Sequence, residues 1–348
     1  MPDFDKLAEE SVNFKRDLTE KRLSAQVADL RSRLGHAMRE HDALEKELAQ
    51  VSEIDLAKVQ PKALPSRSNV RAGRSESVPV VLCSDWHVME SVDPETVNGK
   101  NRFNPAICAE RVATLAHKIQ TMVEIFRGST TIDSMVLALL GDFINGMIHD
   151  DAKESNFGSP VEEVEAAYAL ICGLIDAILR DSKMKSLTIP CAMGNHGRDT
   201  LKPRSTTAWK RNYEWLIYVR LVERYDSNKR VAFVLSKSPH VIQEVYGRKI
   251  RFHHGDMIKY HGGVGGLTVP ANKAINEWNK SDHVWMDCFG HYHRFFYGGN
   301  FIANGSLVGF NAYALQIKAG YELPTQTFFL VEKELGLTSI NPLYLERK

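Results

Sequence analysis

The residue pattern from position 1 to about position 58 predicts one long helix. Mostly apolar residues recur there at alternating spacings of four and three, and charged residues separate them. They are Leu23, Val27, Leu30, Leu34, Ala37, His41, Leu44, Leu48 and Val51. This heptad pattern is typical of a coiled coil. Since short heptad runs also occur in ordinary amphipathic helices, the alternative is a helix that packs on its own globular domain.

Residues 59–77 predict a flexible linker. The stretch has two prolines, a glycine and several serines, and it lacks apolar periodicity. It is basic, because only Glu76 opposes its four cationic side chains. The charge favours a solvated linker, and contact with a phosphate is the alternative.

From residue 78 to residue 348 the chain alternates between short apolar runs and amphipathic stretches. The runs that predict buried strands begin at Val78, Met135, Ser186, Lys249 and His283, and residues 327–345 predict a closing strand pair. Asn104 with Pro105, and Ser159 with Pro160, are typical of helix starts. This alternation predicts a layered α/β or α+β domain.

Each of the five predicted strands leads into a short polar block. The blocks are DWH (85–87), GDFIN (141–145), GNH (194–196), HHG (253–255) and GHYH (290–293). Six of the 13 histidines fall in these blocks, which ordinary buried histidines do not explain. Because functional groups in layered folds collect at the carboxyl ends of strands, we expect the five blocks to converge.

The residue types in these blocks suit a pair of metal ions. Imidazole favours zinc, iron and similar metals, and carboxylate and amide oxygens favour manganese and harder ions. Two ions roughly 3.5 to 4 Å apart are a device for in-line displacement at phosphorus. Each block alone is typical of a capped turn, whereas the whole set predicts a dinuclear site.

The ordered set of five blocks resembles the signature of the calcineurin-like metallophosphoesterases. Residues 302–306, IANGS, also resemble the strand and turn that follow the last block in that family, without its proline. The resemblance covers about residues 78–331. It implies an α+β fold, a four-layer α/β/β/α sandwich, which here carries an added N-terminal coiled-coil helix. It also implies hydrolysis of phosphodiester bonds by attack of a metal-bridging hydroxide.

The resemblance further implies a role for each block residue. The first ion would be held by Asp85, His87 and His293, the second by Asn195, His254 and His291, and Asp142 would bridge the two. The ions would be divalent transition metals, with Mn²⁺ preferred over Fe or Zn. His196 would be the general acid that protonates the leaving group. His254 is chosen over His253 because the family places its ligand directly before glycine, so His253 is expected to point into the core.

Residues 196–211 suggest a substrate. This stretch holds five cationic residues against a single acidic one. Basic side chains that follow a phosphate backbone are typical of nucleic-acid binding, so we expect Arg198, Lys202 and Arg204 to contact substrate. The resemblance adds His149 as a substrate residue.

The aromatic residues beside this stretch are Trp209, Tyr213 and Trp215. They could stack on bases. The alternative is a helix that starts at about Thr207 and turns Trp209, Tyr213 and Leu216 towards the core, and the ordinary helical spacing favours that alternative for the aromatics.

These features predict a nuclease that acts on DNA or RNA. The alternative is a phosphatase or phosphodiesterase for a small nucleotide or a phosphoprotein. A scaffold without activity is disfavoured because no ligand position is lost. Within the family, DNA-repair nucleases and phage-type phosphoesterases are the kinds to which the chain is most similar. The resemblance to the former is incomplete because little chain follows the last block.

Charge and cysteine content bear on the surroundings of the protein. The chain has 44 basic and 43 acidic residues, so overall charge gives no argument for a polyanionic or membrane partner. Five scattered cysteines predict reduced core thiols. The start of the chain lacks the pattern of a signal peptide, and its apolar runs are short. We therefore expect a cytoplasmic protein.

The heptad edges predict a homodimer with antiparallel helices. With Val27 and Leu34 at a positions, a parallel pair would set Glu40 against Glu45, which is a like-charge contact. An antiparallel pair instead sets Arg31 against Glu45 and Arg33 against Glu47. The second arrangement is favoured, in a register where Leu34 meets Leu44.

Overall fold

A computed structural model describes residues 4–52, 75–259, 266–316 and 320–346 of the chain. The chain divides into two compact units, residues 1–71 and 72–348. Residues 59–74 of the predicted linker lie outside the described residues, and Ser77, its last residue, already belongs to the first strand.

The first unit contains helix α1, Phe4–Ser52, which confirms the predicted long helix. Its 49 residues extend over about 74 Å at 1.5 Å per residue. The large apolar side chains of the heptad that the structure describes are 45–64% exposed; they are Leu23, Val27, Leu30, Leu34 and Leu44. Pairing of this face in a coiled coil stays a prediction.

The second unit contains eleven strands in the part that the structure describes. They are β1 (Ser77–Cys83), β2 (Ser134–Leu139), β3 (Ser186–Cys191), β4 (Val231–Leu235), β5 (Val241–Val245), β6 (Arg248–His253), β7 (Met286–Phe289), β8 (Phe296–Tyr297), β9 (Phe301–Ala303), β10 (Thr325–Glu332) and β11 (Gly336–Tyr344). One sheet has the order β11-β10-β1-β2-β3-β4, and the other has the order β5-β6-β7-β9-β8. Strands β1 to β4 are parallel, as are β6, β7 and β9.

The α-helices of this unit are α2 (Pro105–Arg127), α3 (Asp150–Ser155), α4 (Pro160–Asp181), α5 (Tyr213–Tyr225), α6 (Thr268–Asn279) and α7 (Ala312–Gln316). Two of them begin where the sequence predicts. Asn104 caps α2 by accepting from the Ile107 amide, and Ser159 forms a reciprocal capping box with Glu162 at the start of α4. None of the described helices combines the length and the apolar character needed to cross a membrane.

Three buried clusters separate four layers. Successive residues of β1 point to opposite faces, so Val81 packs towards α2 and α4, whereas Leu82 packs between the two sheets. Beyond the second sheet, Ile275 of α6 packs with Phe289 of β7. The order is therefore helices, sheet, sheet, helix, which confirms the predicted α/β/β/α sandwich. All five cysteines are buried and free, as expected.

The predicted helix start near Thr207 is wrong. Residues Ala208–Arg211 form a short 3-10 helix, and α5 begins only at Tyr213. The two are separated because Asn212 makes an isolated bridge to Arg198 and caps α5 through the Glu214 amide. The buried face of α5 consequently consists of Glu214, Ile217, Tyr218, Leu221 and Tyr225, and Leu216 is 54% exposed.

Candidate metal centre

The structure brings the five polar blocks together at one edge of the sandwich. Neighbouring parallel strands β1, β2 and β3 end at the same side, and so do β6 and β7. Backbone hydrogen bonds join the loops that follow them. The Asp85 amide donates to the Gly141 carbonyl at 3.0 Å, and the Gly290 amide donates to the His254 carbonyl at 2.8 Å.

The seven predicted ligands form two adjacent groups. In each group the nitrogen and carboxylate ligand atoms lie within 4.8 Å of one another; the groups are Asp85, His87 and His293, and Asp142, His254 and His291. Asn195 joins the second group, with its Oδ1 3.0 Å from His254 Nε2. This division matches the one that the family resemblance implies. Metal binding itself stays a prediction.

The donor atoms in both groups fit divalent metal ions. In the first group, His87 Nε2 lies 3.3 Å from His293 Nε2, and Asp85 Oδ1 lies 3.4 Å from the same His293 nitrogen. In the second, Asp142 Oδ2 lies 2.9 Å from His254 Nε2. Imidazole nitrogen and carboxylate oxygen, with no thiolate in either group, suit manganese, iron or zinc.

Hydrogen bonds behind two of the histidines turn their Nε2 atoms towards the groups. His254 Nδ1 lies 2.8 Å from the Leu140 carbonyl, and His87 Nδ1 lies 3.2 Å from Asn145 Oδ1. Because a carbonyl oxygen only accepts, each Nδ1 must carry the hydrogen. The Nε2 lone pair is then available to a metal, which is the usual arrangement behind a metal-binding histidine.

Five of the seven residues have a positive φ angle. The values are 55° at Asp85, 46° at His87, 53° at Asp142, 71° at His291 and 52° at His293. This region is costly for residues other than glycine, and such strain concentrates at functional sites. The backbone holds it locally, because the Trp86 and His87 amides both donate to the Asp142 carbonyl at 2.8 and 3.1 Å.

Two glycines of the blocks are required by close approach to the carboxylates. A Cβ atom at Gly290 would lie 2.4 Å from Asp85 Oδ2, and one at Gly194 would lie 2.1 Å from Asp142 Oδ1. Both distances are shorter than a non-bonded contact allows. The glycine before each of these turns therefore leaves room for a carboxylate from the other loop.

Gly290→Ala is expected to displace Asp85 and weaken the first group. We expect elemental analysis to show loss of roughly one metal ion per chain after reconstitution. Gly173→Ala, in α4, is the matched control, because no atom lies within 4 Å of its added Cβ and the helix tolerates alanine. Equal metal content in the two variants would contradict the role of Gly290.

Burial and neighbouring charges favour the metal-binding protonation states of three of the predicted ligands, Asp142, His87 and His291. Burial raises the pKa of Asp142, but His254 and His196 outweigh it, so that the pKa lies well below its ordinary value. Burial, with the nearby charges of His196 and His293, lowers the pKa of His87 to about 3. Burial and His254 lower that of His291 to about 4. Near neutral pH these three groups are a carboxylate and two neutral imidazoles. At the other two histidines a carboxylate outweighs burial: Asp142 raises the pKa of His254 to about 10, and Asp85 raises the pKa of His293, so a metal ion would displace a proton from His254.

His196 lies beside both groups. Its backbone amide donates to Asp142 Oδ1 at 2.8 Å, and its Nδ1 lies 2.6 Å from the Asn145 carbonyl. Its ring centroid is 4.7 Å from that of His87 and 5.2 Å from that of His149. His253 belongs to neither group. It is buried against Phe289, as expected.

The predicted substrate residues follow His196 or face it. Arg198 is half-buried, and its Nε donates to the Thr200 carbonyl at 3.0 Å. Lys202 and Arg204 are exposed on the same loop, and His149 is exposed with its ring next to that of His196. The structure therefore brings His149 to the centre and leaves the two cations on the surface.

Sequence reasoning missed several polar residues behind the metal loops. Ser84 donates to Asp85 Oδ2 at 2.5 Å and accepts from Asn304 at 2.9 Å. Glu163 and Glu214 accept hydrogen bonds from the loops of the second and third blocks. Of these residues, only Asn304 belongs to a sequence motif, the turn that resembles the family. Glu163 and Glu214 lie on amphipathic helices, and no sequence motif includes them.

No protein-family model and no curated protein matches the chain. Several solved structures have a similar fold. A predicted phosphoesterase from Streptococcus pneumoniae is 10% identical, with a TM-score of 0.29, over 76% of this chain and 98% of that one. The calcineurin-like phosphoesterase YfkN from Bacillus subtilis is 13% identical, with a TM-score of 0.31, over 77% and 91%. Zinc-bound Vps29 from Entamoeba histolytica is 10% identical, with a TM-score of 0.30, over 76% and 99%. Likeness at this level does not identify an activity, so function depends on the site itself.

Proposed function

We propose that the protein is a metal-dependent phosphoesterase that uses two divalent ions, with Mn²⁺ preferred. The main support is the pair of adjacent histidine and aspartate groups at the ends of parallel strands. When bound, two such ions supply a nucleophile at neutral pH and stabilise charge on the phosphoryl oxygens.

Residues of the protein would position the metal ligands and donate the proton. Asp142 contacts both groups, because its backbone carbonyl accepts from the loop of the first group and its Oδ2 lies 2.9 Å from His254 Nε2 of the second. Asn195 Oδ1 lies 3.0 Å from His254 Nε2, where it would be a further ligand of the second ion. The Asn145 carbonyl fixes the hydrogen of His196 on Nδ1, so His196 can hold a second proton on Nε2 for the leaving oxygen.

Incubation with Mn²⁺ and a panel of substrates tests this proposal. The panel contains single-stranded DNA, single-stranded RNA, duplex DNA, a mononucleotide and an aryl phosphodiester. Hydrolysis of the aryl ester that stops on chelation is expected. Lack of hydrolysis of every substrate by protein that contains two ions would contradict it.

We further propose that the natural substrate is nucleic acid. Support comes from the cationic loop that follows His196, in which Arg198 is half-buried and Lys202 and Arg204 are exposed. Changing all three to glutamine is expected to reduce the slope of log K against log salt for an oligonucleotide by about 2 to 3, since each phosphate contact contributes roughly 0.7 to 0.9. Fluorescence anisotropy across a salt series measures the slope.

The matched control neutralises Lys183, Lys185 and Lys229. These exposed lysines precede β3 and β4, at the opposite ends of the strands from the metal loops. The control should keep the wild-type slope. If the first triple variant also keeps it, the substrate is a small nucleotide or a phosphoprotein instead.

We propose that α1 pairs with α1 of a second copy in antiparallel orientation. The exposed apolar face of the helix offers the seam, and the flanking charges favour this direction. Surface ion pairs contribute only about 0.2 to 1 kcal/mol each, so they select direction and the seam supplies affinity.

Leu30→Glu with Leu34→Glu is expected to convert a dimer to a monomer at micromolar concentration in light scattering. Ser32→Glu, which lies opposite the seam, should leave the dimer intact. Spin labels at position 24 should lie about 45 Å apart in the antiparallel dimer and about 10 Å apart in a parallel one, at 1.5 Å per residue. A monomeric wild-type protein would contradict the pairing.

A further inference from the structure

Two buried glutamates lie directly behind the loops of the metal centre. Glu163 is in the first turn of α4, and Glu214 is in the first turn of α5. Both side chains are completely buried, and neither belongs to a ligand group. A buried carboxylate is costly unless it is well hydrogen-bonded. The hydrogen-bond partners of Glu163 and Glu214 therefore show which loops these side chains hold in place.

Glu214 ties two loops together with its two oxygen atoms. Oε1 accepts from the Phe143 amide at 2.7 Å, and Oε2 accepts from the Gly194 amide at 2.6 Å. Phe143 follows Asp142, and Gly194 precedes Asn195. One side chain thus fixes the distance between a ligand of the second block and a ligand of the third.

Glu163 uses its oxygen atoms differently. Oε2 accepts from both the Asn145 and the Gly146 amides, at 2.5 and 2.9 Å, and Oε1 accepts from Asn156 Nδ2 at 2.5 Å. A single oxygen therefore holds the turn that ends the second block.

The peptide group between Asn145 and Gly146 connects Glu163 to His196. The Gly146 N–H and the Asn145 carbonyl belong to the same planar trans unit, so they point in opposite directions. Glu163 receives the N–H on one side, and the carbonyl meets His196 Nδ1 at 2.6 Å on the other. A carboxylate on the N–H also polarises the carbonyl and strengthens its bond to the imidazole.

We infer that Glu163 and Glu214 are positioning residues of this centre. Glu163 sets the tautomer and orientation of His196 through the 145–146 peptide, and Glu214 sets the spacing of Asp142 and Asn195. The inference rests on the proposed function for the roles of those three residues.

Because Glu163 and Glu214 use their carboxylate oxygens differently, we expect the two glutamate-to-glutamine substitutions to have opposite effects. In Glu163→Gln the amide oxygen can still receive both backbone N–H groups. Its NH₂ then faces Asn156, whose Oδ1 is buried without a hydrogen-bond partner and can accept after the side chain turns. In Glu214→Gln the NH₂ must face either the Phe143 or the Gly194 amide, so one N–H loses its acceptor.

The experiment compares four variants of the full chain: Glu163→Gln, Glu163→Ala, Glu214→Gln and, as the control, Glu223→Gln at an exposed position of α5. Nitrogen NMR with ¹⁵N-labelled histidine, assigned with His196→Ala, reports which nitrogen of His196 carries the hydrogen. Elemental analysis reports metal content. Hydrolysis rates for esters with good and poor leaving groups report proton donation.

We expect Glu163→Ala to lose the fixed Nδ1–H form of His196 and to keep its metal. Its rate should fall at least about tenfold more for the poor leaving group than for the good one. Glu163→Gln should restore both properties. Glu214→Gln should bind metal about 10 to 100 times more weakly, and Glu223→Gln should match wild type.

Three results would overturn the inference: an unchanged His196 tautomer in Glu163→Ala, a Glu163→Gln variant no better than Glu163→Ala, or wild-type metal affinity in Glu214→Gln. If the wild-type protein hydrolyses none of the esters, the proposed function fails. The NMR and metal measurements would still decide the positioning roles.

Discussion

Replacing Asp142 with alanine is expected to reduce metal binding and hydrolysis together. Asp142 is a buried member of the second ligand group, and its backbone carbonyl accepts from the Trp86 and His87 amides of the first loop. Its Oδ2 is 2.9 Å from His254 Nε2, and its Oδ1 receives the His196 amide at 2.8 Å. Loss of the carboxylate removes a ligand of the second group and leaves buried imidazoles without a negative partner. Since metal ions contribute several kcal/mol to charge stabilisation, we expect the rate to fall about 10³-fold or more.

Metal content after reconstitution with Mn²⁺ is the direct measurement for this variant. Wild-type protein should hold about two ions per chain, and the variant should hold one or none. Asp226→Ala, which removes an exposed carboxylate at the end of α5, is the matched control and should retain both ions and full activity. Two ions in the Asp142 variant would exclude Asp142 as a ligand.

Local sequence signals predicted the parts of the fold that local interactions determine. The starts of α2 and α4 follow from Asn104 and Ser159, whose side chains bond to amides only three residues away. The central strands followed from continuous apolar runs, because both of their faces are buried. Strands β4 and β5 gave no such signal, since they lie at the edges of the two sheets and are largely half-buried.

The sequence predicted the polar residues that form the candidate site, but it did not predict the residues that hold their loops in place. The polar blocks could be identified because each follows a buried strand, and the structure places them together. Glu214 contacts the amides of Phe143 and Gly194, which are 71 and 20 residues away. The periodicity of a helix or a strand predicts contacts between residues only a few positions apart, so it cannot predict these contacts. The start of α5 was likewise missed, because Asn212 is held by a bridge to distant Arg198.

Replacing His196 with alanine is expected to slow the chemical step without removing the metals. The imidazole belongs to neither ligand group, and its Nδ1 hydrogen is held by the Asn145 carbonyl, so its Nε2 is the nitrogen that can give a proton to a leaving oxygen. General acids of this kind contribute about 10² to 10⁴-fold to the rate. A phosphodiester with an alkoxide leaving group should lose that factor. An ester with a nitrophenolate leaving group, which departs without a proton, should lose much less.

The hydrolysis rates of the two esters are measured with protein of known metal content. They show whether His196 acts as a general acid or has a structural role. His283→Ala, at an exposed position before β7, is the control and should match wild type on both substrates. If the His196 variant lost metal, the residue would be a ligand or would support one. If both esters slowed by the same factor at full metal content, the imidazole would bind or orient the phosphate, because a proton donor must affect the poor leaving group more.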